Sequence, residues 1–298
     1  MQPDVVVIGG GVSGLTAAVD LSSHGFSVLL VEQKQHCGGR TYSFVHKETG
    51  DEVDNGQHLM MGCYRSTLKF LTTIGALSAV TIQKNLSVAF LHSERGLFRL
   101  QAVSLPAPLN VLVGLLRLKS LTFLQRLSLL RVGVALLFAR PDDDTQLQSL
   151  TVSEWLALLN QPEVNKTYLW DILAIGTLND SPSVVSAALF VKVLRSAFLG
   201  RRVNSSMVIP KRGLSTVLVD PAVNFLTQKK SAVLTNTSVD RVVIKEGSVV
   251  GVVLNSGETV STRAVISAVP YFDAPRIFRE GTQLSELQSS GNFVSSAI

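Results

Sequence analysis

The run Gly9-Gly10-Gly11-Val12-Ser13-Gly14, an acid at Glu32 and the turn Gly38-Gly39-Arg40 follow one another in the first forty residues. Residues of these types at these spacings can hold a pyrophosphate and a ribose. Gly11 has no Cβ, so backbone amides can come close to phosphate oxygens. A helix opening beside it turns its unpaired N–H groups and the positive end of its dipole toward the anion. No lysine is needed for that. Glu32 lies 18 residues after Gly14, where a carboxylate accepts hydrogen bonds from ribose hydroxyls and disfavours a 2′-phosphate. The planar guanidinium of Arg40, following two glycines, can reach phosphate oxygens in a fork.

These groups need a frame. Val5-Val6-Val7-Ile8 is a β-branched run suited to a buried parallel strand. Gly9 supplies the exit turn, and a helix is expected from Ser13 to about His24, stopped by Gly25. Gly14 lets that helix lie against its strand. Ser27-Val28-Leu29-Leu30-Val31 reads as the next strand and delivers Glu32 at its end. A glycine-rich turn after a strand is weak evidence alone, but strand, glycines, helix, strand and acid in this order predict a dinucleotide site.

The 298 residues are 46% hydrophobic and 16% charged, with mean hydropathy +0.32. That is ample apolar material for one large domain or two interleaved ones and excludes a disordered chain. The net charge is +5, with many basic residues dispersed among apolar ones, which gives nucleic acid binding little support. Cys37 and Cys63 are too few for a disulfide framework or a zinc site, and the five histidines all precede residue 93 without metal-ligand spacing. Asp142-Asp143-Asp144 cannot all face one ion and reads as a solvated turn, so no metal site is expected. The first strand begins too early for a secretory leader, and a cytoplasmic location is the expectation.

The stretch from Leu109 to Phe138 is the most apolar, but Arg117, Lys119, Arg126 and Arg131 interrupt it, so it does not suit a spanning helix. Cations within leucine-rich helices suit an element lying on an anionic membrane; a core helix pair with a basic solvated edge is the other reading.

Further along, Gly50 to about Gly75, including Gly56, is expected to return toward the nucleotide and lead into a helix around Tyr64 to Ile74. A hairpin is expected over Ser87–Leu91 and Leu97–Leu100, turning at Glu94-Arg95-Gly96. From Pro106 to about Arg202 the pattern is helical, broken at Pro141–Asp144 and near Gln161-Pro162, with Thr151 or Ser153 as a cap. A meander then turns at Glu246-Gly247 and Asn255-Ser256-Gly257, and Arg263 to Pro270 reads as another buried strand. The order describes an α/β fold: a split Rossmann-like nucleotide-binding domain over 1–80 and 205–298, with an inserted, mainly helical substrate domain over 81–204.

With these residues in place, the chain resembles the FAD-dependent amine oxidase and phytoene desaturase superfamily, in which the opening βαβ unit is followed by a Gly-Gly-Arg turn. Within it, the chain is similar to the bacterial hydroxysqualene dehydroxylases. Gly50-Asp51-Glu52-Val53-Asp54-Asn55-Gly56-Gln57-His58 through Gly62-Cys63-Tyr64-Arg65, then Glu154-Trp155-Leu156, Leu169-Trp170 with Leu178-Asn179, and Pro210 through Pro221 carry the likeness. The resemblance implies FAD as cofactor, held by Gly9, Gly11, Gly14, Glu32, Gly38, Gly39, Arg40 and Gly56, with the backbone around Val239 flanking the adenosine. It implies an apolar isoprenoid substrate, reductive removal of the allylic hydroxyl of hydroxysqualene to give squalene, and a place in hopanoid biosynthesis beside the enzymes of squalene synthesis. A peripheral position on the inner face of the plasma membrane is the expectation that goes with the membrane-surface reading of the Leu109 to Phe138 stretch. The leucine- and phenylalanine-rich insert between about Leu105 and Leu199 would wall the substrate tunnel. Loss of hydroxide needs a proton donor, for which Asp54, His58 and Tyr64 are candidates, none assigned as catalytic. Family members continue well beyond Ser295–Ile298, so a C-terminal truncation inside a strand is expected, with a glycine-rich flavin segment missing. Same-class alternatives are carotenoid desaturation and amine oxidation; alternatives of another class are a non-catalytic lipid-binding protein and an inactive fragment.

Overall fold

The computed structural model describes residues 2–56, 59–92 and 96–278; His58, part of the turn at Glu94-Arg95 and the strand expected at the C-terminal end lie outside them. The chain divides into two compact units, one holding the N-terminal segment, Ser66–Thr81 and the chain from Pro210 on, the other Leu59–Arg65 and Ile82–Ile209.

In the first unit the β-branched runs become a parallel sheet in the order Ala232–Leu234, Val28–Val31, Val5–Ile8, Ala264–Ser267. Val5 pairs with both Val28 and Ala264. The two central strands are buried at every position, as uninterrupted apolar runs covered on both faces must be. The Ala264–Ser267 strand differs from expectation: its residues are exposed or half-buried, because it occupies an edge of the sheet. The helix Val12–Ser23 connects the central pair. An antiparallel meander of Val239–Lys245, Ser248–Leu254 and Thr259–Ser261 turns at Glu246 and Gly247, both with positive φ, which matches the right-handed strand twist. Its Val239, Val242, Val252 and Leu254 share a core with Val6, Ile8, Leu29 and Val31.

The second unit pairs a hairpin, Ser87–His92 with Gly96–Gln101, with the helices Leu109–Leu116, Phe123–Phe138, Val152–Leu158 and Ala187–Phe198. Two of these helices start with reciprocal caps, Thr122 with Gln125 and Thr151 with Glu154; each satisfies two otherwise unpaired amides. The acidic run is a helix start: the Leu147 amide donates to Asp144 Oδ1 at 2.9 Å, and Asp142 pairs with Lys192. Among the described residues no cluster could hold a metal ion. The Leu59–Arg65 stretch groups with this unit because Met60 and Met61 pair with Val208 and Met207.

The core contains Leu121, Leu156, Leu169, Leu194 and Phe190, with Trp155 edge-on to Phe190 at 6.4 Å. One polar network crosses it. Gln161 accepts from Trp170 Nε1 at 3.0 Å and donates to the Ser128 carbonyl at 2.8 Å. Asn165 donates to Ser128 Oγ at 2.8 Å and to the Gln125 carbonyl at 2.9 Å. Buried polar groups linked in this way favour one arrangement of the elements they join, although Asn165 Oδ1 finds no partner among the described residues. No described helix is long and apolar enough to cross a membrane.

Candidate functional site

The site begins where the first strand ends. Gly9 leaves the strand at φ +103°, and its amide donates to the Val31 carbonyl at 2.8 Å, so the glycine loop is tied to the end of the second strand. A Cβ on Gly14 would stand 1.8 Å from the Gly9 carbonyl oxygen, which makes glycine a steric requirement for the helix to start this close to its strand. Nothing lies within 4 Å of the corresponding point on Gly11. The Val12–Ser23 helix opens there with no side chain capping it and no acid in its first turn. An uncapped helix start facing open space is the geometry that accepts a phosphate.

Gly10, to which the sequence reading gave no role, is also constrained, though less tightly than Gly14. A Cβ there would meet Cys37 Sγ and Glu32 Cβ, each at 2.9 Å. Its amide donates to Glu32 Oε2 at 2.6 Å, and the Lys34 amide donates to Oε1 at 2.8 Å. Two backbone bonds fix the buried carboxylate and leave it acceptor capacity for ribose hydroxyls. Cys37, buried beside it, has its thiol pushed up to about 11 by burial and then by the Glu32 charge.

The second glycine turn closes on the first. The Gly38 amide donates to the Gly10 carbonyl at 2.8 Å, and Gly38 and Gly39 both adopt positive φ. Thr41 Oγ1 returns to the Gly38 carbonyl at 2.7 Å. Arg40 follows this turn with an exposed side chain. On the other side, the Thr237 amide donates to the Glu32 carbonyl at 3.0 Å, which brings the chain entering Val239 beside the acid. The Val239 side chain itself is buried in the core, so only its backbone can face a ligand. Glycine loop, Glu32, the Gly38-Gly39 turn and the approach to Val239 are thus assembled in one unit. Gly56 lies in a bend after the strand Glu52–Asp54, with the neighbouring Asn55 amide held by the Tyr42 carbonyl at 3.0 Å. This arrangement fits the adenosine and pyrophosphate of FAD.

The candidate proton donors have separate fates. Asp54 Oδ1 accepts from the Leu214 amide at 2.8 Å and from Ser43 Oγ at 2.7 Å. Glu52 accepts from the Gly213 amide at 2.9 Å, and Ser43 Oγ from the Ser215 amide at 2.9 Å. Together these side chains cap the start of the helical segment formed by the π-turn Ser215–Val219 and the helix Asp220–Thr227. Sequence reasoning missed this clasp; the signal available was the acid pair at Glu52 and Asp54, two residues apart and so on one face of a strand. Tyr64 belongs to the second unit, where burial and then the neighbouring Cys63 raise its phenol above the usual value; it stays protonated at neutral pH. His58 lies outside the described residues.

Comparison with known proteins agrees with this geometry. The family model "Flavin containing amine oxidoreductase" matches residues 12–290. The hydroxysqualene dehydroxylase of Rhodopseudomonas palustris is 30% identical over 275 residues, covering 91% of this chain and 62% of that protein. That of Sinorhizobium fredii is 28% identical over 243 residues, covering 78% of this chain and 53% of that one. The chain therefore spans between half and two-thirds of the length of these relatives. An oxidoreductase structure from Methanosarcina mazei superposes with a TM-score of 0.65 at 17% identity, over 96% of this chain and 62% of that one, which shows the fold. A family match over nearly the whole chain, joined to a glycine loop and acid built for a dinucleotide, establishes that the chain belongs to the flavin containing amine oxidoreductases and that its cofactor is FAD.

Proposed function

We propose that this protein acts as an FAD-dependent oxidoreductase on an isoprenoid lipid and replaces the allylic hydroxyl of hydroxysqualene with hydrogen to give squalene. The observation that carries this reading is the similarity to hydroxysqualene dehydroxylases along 91% of the chain. Reduced FAD, when bound, supplies the hydride. The balance is simple: the C–O bond breaks, the hydroxyl leaves as water with one added proton, and hydride forms the new C–H bond.

The protein's own residues hold and orient. Gly10 and Lys34 amides fix the Glu32 carboxylate for the ribose, and the open helix start at Gly11 receives the pyrophosphate. Arg40 adds a guanidinium to the phosphates. Asp54 is engaged as a helix cap, and the donor of the proton to the departing oxygen is not assigned to any residue. The apolar helical unit offers a dry wall for a chain with almost no polar handles. Hopanoid biosynthesis, with squalene-forming enzymes as neighbours, is the setting this reading implies.

The test is an anaerobic incubation of the protein with reduced FAD and hydroxysqualene, followed by extraction of the lipids. Squalene formed in proportion to flavin oxidised supports the proposal. Flavin that is bound and reducible but gives no squalene contradicts it, and a new conjugated double bond in phytoene incubated with the protein and oxidised FAD, the removed hydride reducing the flavin, would assign the site to desaturation instead.

A further inference from the structure

The second unit carries a groove of about 630 Å³ in which Arg99, Arg117 and Lys119 meet Asn85, Gln101 and Ser104. Among the described residues no acid lines it, and the three cations form no ion pair. Its construction is specific. A Cβ on Gly114 would stand 2.7 Å from the Gln101 carbonyl oxygen, so the Leu109–Leu116 helix lies directly on the strand Gly96–Gln101, bringing Arg117 at the helix end into the same groove as Arg99. Three unpaired cations held in one concavity favour a group with multiple negative oxygens.

Large apolar side chains of the hairpin and of the helix that follows Lys119 are turned to solvent. Leu91 and Leu97, paired across the hairpin, are 83% and 70% exposed. Phe123 and Leu124, at the start of the next helix, are 70% and 76% exposed. Arg126 joins that start to the preceding helix by donating to the Leu116 and Leu121 carbonyls. From there Leu124, Leu127, Arg131, Val134 and Phe138 recur every three or four residues, all exposed, while Leu129, Val132 and Leu136 of the same helix are buried. A helix apolar on both faces is normally covered on both. Here the exposed apolar face carries the exposed Arg131, and a cation among apolar side chains complements an apolar layer with an anionic surface.

We propose that the helical unit docks on an anionic phospholipid bilayer, with Arg99, Arg117 and Lys119 receiving a headgroup phosphate and Leu91, Leu97, Phe123 and Leu124 entering the acyl boundary. The docking is independent of which reaction the flavin site performs.

Flotation of the full chain with vesicles of phosphatidylglycerol and phosphatidylcholine, against phosphatidylcholine alone, tests it. The expected result is binding to the anionic vesicles that weakens steeply as salt rises. The variant R99Q/R117Q/K119Q should bind about 100-fold more weakly, because each basic residue near an anionic surface contributes about fivefold; R99Q alone should lose about fivefold. L91S/L97S should weaken binding while keeping its salt dependence. Equal binding to neutral vesicles, or a triple variant that is folded by circular dichroism and binds unchanged, overturns the proposal. Saturable binding of inorganic phosphate without any vesicle binding overturns it too, assigning the groove to a soluble phosphate ligand.

Discussion

The two units place their chemistry by opposite means. In the first, the site is set by what cannot be present: a side chain at Gly14 would strike the Gly9 carbonyl, and one at Gly10 would strike Glu32 and Cys37. In the second, structure is set by polar and apolar side chains that are present, the Gln161–Trp170–Ser128–Asn165 network inside and an uncovered apolar helix face outside. The difference teaches where function tolerates change. A backbone-built site fails at single glycines, whereas a side-chain-built unit loses stability in increments.

The comparison breaks most visibly at Gly14→Ala, which should cost about 3 kcal/mol or more because the obstructing atom is backbone, as denaturant unfolding would report. Gly11→Ala, facing open space but replacing a favoured helix N-cap, should cost only about 0.7 kcal/mol while still weakening FAD binding. Equal destabilisation by the two would erase the distinction between steric and ligand-facing glycines. Next, Gln161→Leu should cost about 2 kcal/mol by leaving the buried Trp170 N–H unpaired, with little effect on flavin affinity. Thr151→Ala, which removes one reciprocal cap, should cost about 1 kcal/mol in the same assay.

The smallest effect sharpens the first unit. Cys37 should resist iodoacetamide at pH 8 in the folded protein, since its thiol titrates at about 11 rather than 9.0, and should react on unfolding. The folded pKa lies above the unfolded one, so the associated stability is intact below about pH 9 and is lost as pH rises toward 11. Rapid labelling of the native protein at pH 8 would contradict the buried geometry beside Glu32.

Much of the first unit was legible because its signals are local. Strand, glycine loop, helix and acid sit within one βαβ unit, where residue spacing and spatial position are nearly the same information. The Thr151 cap and the turns at Glu246-Gly247 and Asn255–Gly257 were legible for the same reason. What stayed hidden depends on distant pairings. Asp54 meets Leu214 across 160 residues; the spacing of Glu52 and Asp54 puts both acids on one face, but it does not show which distant amides they cap. The strand Ala264–Ser267 has the composition of a buried strand, but only the strand order reveals that it lies at an edge. The basic residues around Lys119 were visible as a pattern; that Arg99 joins Arg117 and Lys119 in one groove follows only from the packing at Gly114.

The central claim is that the glycine loop and Glu32 form a working FAD site. Its most direct test is the visible absorption of the folded protein after incubation with FAD and desalting, measured for the wild type and Gly11→Val. Flavin absorbance retained by the wild type and lost in the folded variant is the predicted result. A folded wild type that emerges colourless would contradict the claim.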